Sequence, residues 1–471
     1  MHRMISAGPL RRAEGGRLLL VLALSLPLLS FDLGRRFLAT NDETRFPLLA
    51  RDILERGHWL LPQLHGVPHL NKPPLYAWLV ALASWPEGVV SQRNAALASI
   101  AAALGVVAAT YWIGRRLFSP RVGTIAGLIV VTTVGVFGQA RIPMPDMALC
   151  AATTLAMAGY VAAQFDGQSS RLVLFYVGLG LAFWIKGLAG LLPIPIVVAE
   201  TLVTFGWRGP GRLVSWPGLA LLALLLVPWP AMAAAAGRSK FVSGIVVHDM
   251  LLWYLEPHGR TWRLLLEPLN QGFTILLPWS LMLPMVAWQA RDIPRERVRA
   301  LRLVALWLVL TFVLVAISSQ QRARYYLPLC SPAALLIAAW CASLKVRRPG
   351  LVFGAIWIAV ASGFALGQTY EVARHNAASS LRTISAEIGA QPVAIYAVDT
   401  PELVFSFYLG REVTPLPTYA EFERRTRSDG DDAYLLIAPR ALPDARAGLR
   451  MLGTDLVNGR FISVGRTAGP S

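Results

Sequence analysis

About eleven apolar segments, 14 to 20 residues each, run between residues 18 and 368, and no other feature constrains the fold of this chain as much. A helix needs ~20 largely apolar residues to cross a bilayer. In lipid every backbone N–H and C=O must be satisfied inside the protein, which leaves helices as the spanning element for segments of this length. The segments are Leu18–Leu33, Asn94–Ile113, Gly123–Gln139, Met147–Phe165, Leu172–Ile185, Leu188–Phe205, Val214–Met232, Gly272–Gln289, Leu303–Ser318, Tyr326–Leu344 and Leu351–Gln368. The first is short and carries Pro27, which admits a signal-peptide reading. No small-x-small cleavage site follows it, so it is read as a span. Only 15% of the 471 residues are charged, and mean hydropathy is +0.51. That is too little charge to cover a soluble domain. The expected fold class is an α-helical polytopic membrane protein of about eleven transmembrane helices.

The formal net charge is +17, but the basic residues are dispersed among the apolar segments. Topology and contact with anionic lipid account for them, and no nucleic-acid partner is expected. Cys150, Cys330 and Cys341 lie in apolar segments and read as small core residues.

Arginine placement orients the chain. With Arg3, Arg11, Arg12 and Arg17 cytoplasmic, alternate loops should be basic. They carry Arg115/Arg116/Arg121, Arg171, Arg208/Arg212, Arg291/Arg295/Arg297/Arg299/Arg302 and Lys345/Arg347/Arg348. The other side receives residues 42–93, 141–146, Lys186, 233–270, 319–325 and the tail after Gln368. The expected topology places the N-terminus in the cytoplasm and the tail on the external side.

Two stretches lie outside the spans. In the first external loop, 34–93, "PLLARDILERG" puts Leu48, Leu49, Ile53 and Leu54 on one helical face, and "PPLYAWLVALASW" follows Lys72. In the tail, "PVAIYAV" and "AYLLIAP" read as strands, with "TPELVFSFYLG" a helix between them. The expected division is a membrane domain over 1–369 and a small α/β domain over 370–471.

Polar chemistry gathers at the external edge. Ionisable groups at a membrane boundary are functional candidates, against the alternative that they snorkel to water or anchor helix ends. Asp42 and Glu43 stand side by side after the first span, with Arg45 close behind. A carboxylate there fits removal of a proton from an alcohol. Asp146, in "RIPMPDMAL", repeats the theme, with Pro143 and Pro145 breaking the helix and aiming the carboxylate. Arg141 is its alternative, structural partner. The cations are Lys72, Lys186, Arg260, Arg322 and Arg324. They suit a phosphate whose other end is lipid. No cofactor is read from the sequence. A divalent metal at His58, His65 and His69 is an alternative, although their spacing matches no compact ligand pattern. There is no Walker A loop and no GxGxxG before a helix, so an activated substrate must come from elsewhere.

The ordered series "NDETRF…ARDILERGHWLLPQLHGVPHLNKPPLYAWLVAL", "ARIPMPDMAL", "FWIKGLAG", "LLPWS" and "RYYLPLCSPAALL" resembles the bacterial membrane glycosyltransferases of the protein-mannosyltransferase superfamily. It resembles in particular the branch containing the lipid A aminoarabinose transferase. The likeness covers about residues 30 to 345. It implies a glycosyltransferase C fold, a polyprenyl-phosphate sugar donor and an inverting transfer to a glycolipid, glycan or protein acceptor, with lipid A or lipopolysaccharide core foremost. Carried over, Asp42 is the catalytic carboxylate and Asp146 a second acid in the cavity. Lys72, Lys186 and Arg45 face the donor phosphate, and Tyr325 of the YxLP motif lines that site. Many relatives have Glu where this chain has Asn71, and a basic residue where it has Gln321. The rival class is a polyprenyl-linked sugar flippase, which needs boundary cations but not two external carboxylates. A pyrophosphate-dependent ligase or polymerase is the rival enzyme.

Overall fold

The computed structural model describes residues 8–237, 262–289, 297–318, 320–377, 379–389, 393–429, 432–442, 449–457 and 459–467. Arg260, Arg291, Arg295 and most of 233–270 lie outside the described residues. The chain divides into two compact units. The first comprises Met1–Phe31, His69–Leu79 and Ala96–Ala365; the second comprises Asp32–Pro68, Val80–Ala95 and Leu366–Ser471.

The first unit is helical. Among the described residues seven helices in the chain are long and apolar enough to cross a membrane: Gln92–Leu117, Pro145–Phe165, Ser169–Leu191, Trp216–Ala236, Val298–Ala316, Ala323–Ser343 and Pro349–Ala377. A bent pair, Leu266–Ile275 with Trp279–Trp288, makes an eighth if counted as one span. The expected span Gly272–Gln289 is therefore not straight. It turns through 107° between its halves, at the Leu276–Leu277–Pro278 break. The expected span Gly123–Gln139 is broken as well, into Pro120–Val131 and Val134–Gln139. The cause is local: Thr132 and Thr133 hydroxyls bond back to the Leu128 and Val130 carbonyls, and Thr133 then caps the next helix through Val136 N–H. The expected span Leu188–Phe205 begins as a helix only at Pro193.

Burial sorts these helices. The Pro145–Phe165 window is 78% buried, against 6% for Pro349–Ala377. Side chains as apolar as lipid need no protein cover, so the first helix is central and the second presents itself to the bilayer. The central helix forms an antiparallel hairpin with Leu172–Lys186. Small residues permit the close approach. A Cβ on Gly159 would collide with the backbone N of Phe175, and one on Gly178 with that of Ala156. Hydroxyls tie a third element to the hairpin: Thr110 donates to Ser331 Oγ at 2.9 Å, and Ser331 and Thr154 share a bond of 3.3 Å. Cys150 Sγ also reaches the Leu327 carbonyl at 3.5 Å. The start of the 323–343 segment is thereby held beside the start of the 145–165 helix.

The second unit contains a five-stranded sheet of β3 (Ala394–Val398), β4 (Thr414–Leu416), β5 (Ala433–Ile437), β6 (Leu449–Val457) and β7 (Arg460–Thr467), in the order β4-β3-β5-β7-β6. β4, β3 and β5 run parallel, joined by helices Glu402–Leu409 and Tyr419–Asp429; β7 and β6 add on antiparallel. Alternation along the strands divides the core. Ile395, Ala397, Tyr434 and Leu436 pack with Phe405 and Ile384 on one face. Val398, Leu416, Leu435 and Ile437 pack with Phe422 on the other. The expected strands and helix of the tail are present. The β6–β7 hairpin was not expected, because "LRMLGTDLV" and "RFISVGRT" carry charge and glycine where a strand reading looks for apolar alternation.

The loop 34–93 contributes β1 (Gln63–Leu64) and β2 (Val67–Pro68), paired through a turn in which His65 and Gly66 have φ of 52° and 70°. That is the left-handed geometry of a tight hairpin. The amphipathic stretch lies in a helix, Asn41–Arg56, which begins six residues before Pro47. The sequence Thr40-Asn41-Asp42-Glu43 has the capping-box pattern, with the return bond from Glu43 taken one residue before the N-cap. Thr40 is the N-cap, accepting from Glu43 N–H, and the Glu43 side chain folds back onto the Ala39 N–H at 2.8 Å.

Candidate functional site

The first unit gathers three of the expected residues, Lys186, Arg324 and Tyr325, around the Asp146 carboxylate. Met144 is extended and Pro145 occupies the first helical position, so the 145–165 helix starts there and Asp146 falls in its first turn. Lys186 is the last residue of the 172–186 helix. Gly187, at φ 61°, stops that helix and donates back to the Phe183 carbonyl. The antiparallel hairpin brings the two ends together, and Lys186 Nζ donates to Asp146 Oδ1 at 2.5 Å. Arg324 approaches the other oxygen, with Nε 3.7 Å from Oδ2. Lys186 Nζ lies 4.4 Å from the centroid of the Tyr325 ring, and Arg324 lies 5.6 Å from it.

The carboxylate is deeply buried, 3% exposed, whereas Lys186 and Arg324 are 15% and 20% exposed. A charge so buried must be paired. Two cations on one acid leave an excess positive charge on the more exposed side, beside an aromatic face.

The residues around this cluster have separate tasks. Gln321 donates to the Val315, Ala316 and Ser318 carbonyls at the end of the 298–316 helix and accepts from Tyr326 OH at 2.5 Å. Tyr326 is fully buried; its neighbour Tyr325 is the one that meets Lys186. Arg322 precedes the short 3-10 helix Ala323–Leu329 and is half-buried. Arg141 donates to the Leu28 and Leu29 carbonyls at 3.3 and 3.0 Å and lies 5.0 Å from the Phe137 ring. Lys72 is half-buried just before the Leu75–Ser84 helix.

The second unit holds the other acids. Asp42 and Arg45 pair at 3.0 Å with side chains 29% and 26% exposed. Glu43 is buried and engaged three ways: by Arg36 Nη1 at 2.9 Å, by Arg36 Nη2 at 3.2 Å and by Ala39 N–H. Of the two adjacent acids, Asp42 is the accessible one and Glu43 locks the turn. Asp52, also buried, accepts from His58 Nδ1 at 3.0 Å and Gln63 N–H at 2.8 Å, which holds the β1–β2 hairpin to the helix. His65 Nδ1 meets Glu412 at 3.2 Å. Among the described residues, no three His, Cys, Asp or Glu side chains converge as metal ligands. Arg51 donates to the Ser406 and Phe407 carbonyls, and burial pulls its pKa down.

Glu200, absent from the residues expected at a site, is fully buried and bonded to Arg299. Its signal was available: a single acid inside the apolar run "IVVAETLV".

Residues 71–232 match the model of the dolichyl-phosphate-mannose-protein mannosyltransferase family. An undecaprenyl phosphate-alpha-4-amino-4-deoxy-L-arabinose arabinosyl transferase of Edwardsiella ictaluri is 27% identical over 331 residues, 65% of this chain and 56% of the relative. The protein of the same description from Pseudomonas aeruginosa is 30% identical over 309 residues, 63% of this chain and 54% of the relative. The chain thus spans about half the length of the curated relatives it matches. The crystal structure of ArnT from Cupriavidus metallidurans bound to undecaprenyl phosphate superposes with a TM-score of 0.77 at 18% identity, over 96% of this chain and 98% of that one.

Proposed function

We propose that this chain, a member of the ArnT-like glycosyltransferase C superfamily, transfers one sugar from a polyprenyl-phosphate donor to an envelope acceptor by a single inverting displacement. Lipid A or lipopolysaccharide core is the acceptor class we favour, at the periplasmic face of the bacterial inner membrane. The observation that carries the proposal is the Asp146–Lys186–Arg324–Tyr325 cluster: two partly exposed cations and an aromatic face, aligned by one buried acid at the end of apolar helices.

An acceptor oxygen attacks the anomeric carbon as the bond from that carbon to the phosphate oxygen breaks. The electron pair leaves on the polyprenyl phosphate. Charge growing on that phosphate is what Lys186 and Arg324 stabilise, with Lys72 and Arg260 as further phosphate contacts and Tyr325 holding the Lys186 ammonium. Asp146 acts here as a positioning residue, because its oxygens are already engaged by the cations it aligns. Asp42 is assigned to the acceptor: it orients the nucleophile and, for a hydroxyl, takes its proton. Arg45 balances Asp42, and Glu43 holds the turn that carries it. If the acceptor is already a phosphate anion, Asp42 orients it without taking a proton.

Purified protein given a polyprenyl-phosphate sugar and a lipid A acceptor should release polyprenyl phosphate in step with acceptor mass gain. Donor movement across a vesicle bilayer without hydrolysis or transfer would instead identify a flippase.

We also propose that the eleven apolar segments cross the membrane eleven times, placing the α/β domain outside. A reporter active only in the cytoplasm, fused after Ser471, should be silent. A signal there overturns both the topology and the periplasmic reaction.

A further inference from the structure

The end of the helix hairpin away from Asp146 carries a second charged cluster that the transfer does not use. Tyr160 lies ~21 Å along the 145–165 helix from Asp146, at 1.5 Å per residue. The fully buried Glu200 carboxylate accepts from the Tyr160 hydroxyl, from Thr204 Oγ1 at 2.8 Å and from Arg299 Nε at 3.0 Å. Arg302 donates to Thr204 Oγ1 at 2.6 Å, and Arg299 Nη1 to the Gln164 carbonyl at 3.3 Å.

Aromatic faces hold the guanidinium planes. Arg299 lies 4.3 Å from the Phe165 ring centroid and 4.9 Å from that of Phe205, and Arg212 lies 4.0 Å from the Phe205 centroid. Three guanidinium groups thus share one cluster with a single carboxylate, which bonds Arg299 directly, while Arg302 reaches it through Thr204 and Arg212 shares the Phe205 ring with Arg299. Acceptors run out before donors do: among the described residues, the buried Arg299 Nη2 and Arg302 Nε have no hydrogen-bond partner. A guanidinium carries five N–H donors, and donors left unmade at a partly dry site are costly. Arg299 nevertheless remains 29% exposed, and Arg212 is exposed.

We infer that Arg212, Arg299 and Arg302 form a binding site for the phosphate of an anionic membrane lipid. The missing partner is an acceptor that carries negative charge, and a phosphate presents several oxygens to a planar fork. The site stands at the ends of apolar helices, where headgroup phosphates lie, and basic pockets between spanning helices suit such headgroups. Glu200 fixes Arg299 in place, so the net attraction comes from Arg212 and Arg302. A bound lipid would staple the ends of the 145–165, 193–205 and 298–316 helices.

The test uses native mass spectrometry of the full-length protein in mild detergent, with phosphatidylglycerol, cardiolipin or phosphatidylcholine added, and thermal unfolding with inorganic phosphate in parallel. The wild type should retain the anionic lipids over phosphatidylcholine. Arg212→Gln with Arg302→Gln should lower phosphatidylglycerol affinity roughly 30-fold, taking about fivefold per basic residue near a charged surface. Arg440→Gln, on the exposed surface of the second unit, should leave it unchanged. Should the double variant fail to purify, Arg212→Gln alone should give about a fivefold loss. Equal retention by variant and wild type overturns the site, as does equal retention of phosphatidylcholine. Stabilisation by inorganic phosphate without lipid retention overturns the lipid as its occupant.

Discussion

Lys186→Ala is expected to weaken donor binding by roughly 10- to 100-fold, the worth of one charge-assisted hydrogen bond to phosphate. It should also lower stability, because Asp146 is 3% exposed and loses its nearest partner. Breaking a buried ion pair from one side costs about 3–5 kcal/mol. Arg324 remains 3.7 Å from the same carboxylate, so the loss should fall at or below the lower figure. These two effects separate on a second substitution. Adding Asp146→Asn to Lys186→Ala removes the stranded charge and should recover most of the melting temperature while donor affinity stays low. If the double variant recovers both, Lys186 serves only to neutralise Asp146, and the phosphate role is wrong. Donor titration by isothermal calorimetry, beside a melting curve, reads both quantities on the same preparations.

Asp146 and Lys186 were each legible in the sequence as boundary charges, but their pairing was not. They are 40 positions apart in the chain, and only the glycine-lined hairpin between 145 and 186 brings them together. The helical segments were legible because lipid demands long apolar runs, whatever their neighbours. Their breaks were harder to read. The Thr132–Thr133 interruption depends on hydroxyls bonding to the backbone, and the 107° bend after Ile275 on a turn inside an apolar run. Hydropathy is blind to both. The adjacent acids Asp42 and Glu43 looked equivalent in sequence. The capping-box pattern that distinguishes them was already visible as Thr40-Asn41-Asp42-Glu43: it commits Glu43 to the backbone and to Arg36, leaving Asp42 half-exposed beside Arg45.

Asp42→Asn should therefore fold and bind donor normally while transfer falls by about 10²–10⁴-fold, the usual contribution of a general base. Amide for carboxylate keeps shape and removes charge. A capping role for Asp42 would predict near-normal transfer, since Asn caps as well as Asp. That alternative has lost its ground, because Thr40 caps the helix. What remains of it is a partly exposed pair with Arg45 in the first helical turn, worth about 0.3–1 kcal/mol of stability and no rate. Glu43→Gln should behave in the opposite way. It weakens the bonds to Arg36 and Ala39 N–H, so it should cost about 1–3 kcal/mol of stability while sparing the chemical step of whatever protein stays folded. Single-turnover transfer at saturating donor, corrected for folded fraction, distinguishes the two variants. Wild-type turnover by Asp42→Asn, or a rate loss confined to Glu43→Gln, would move the reacting carboxylate away from Asp42.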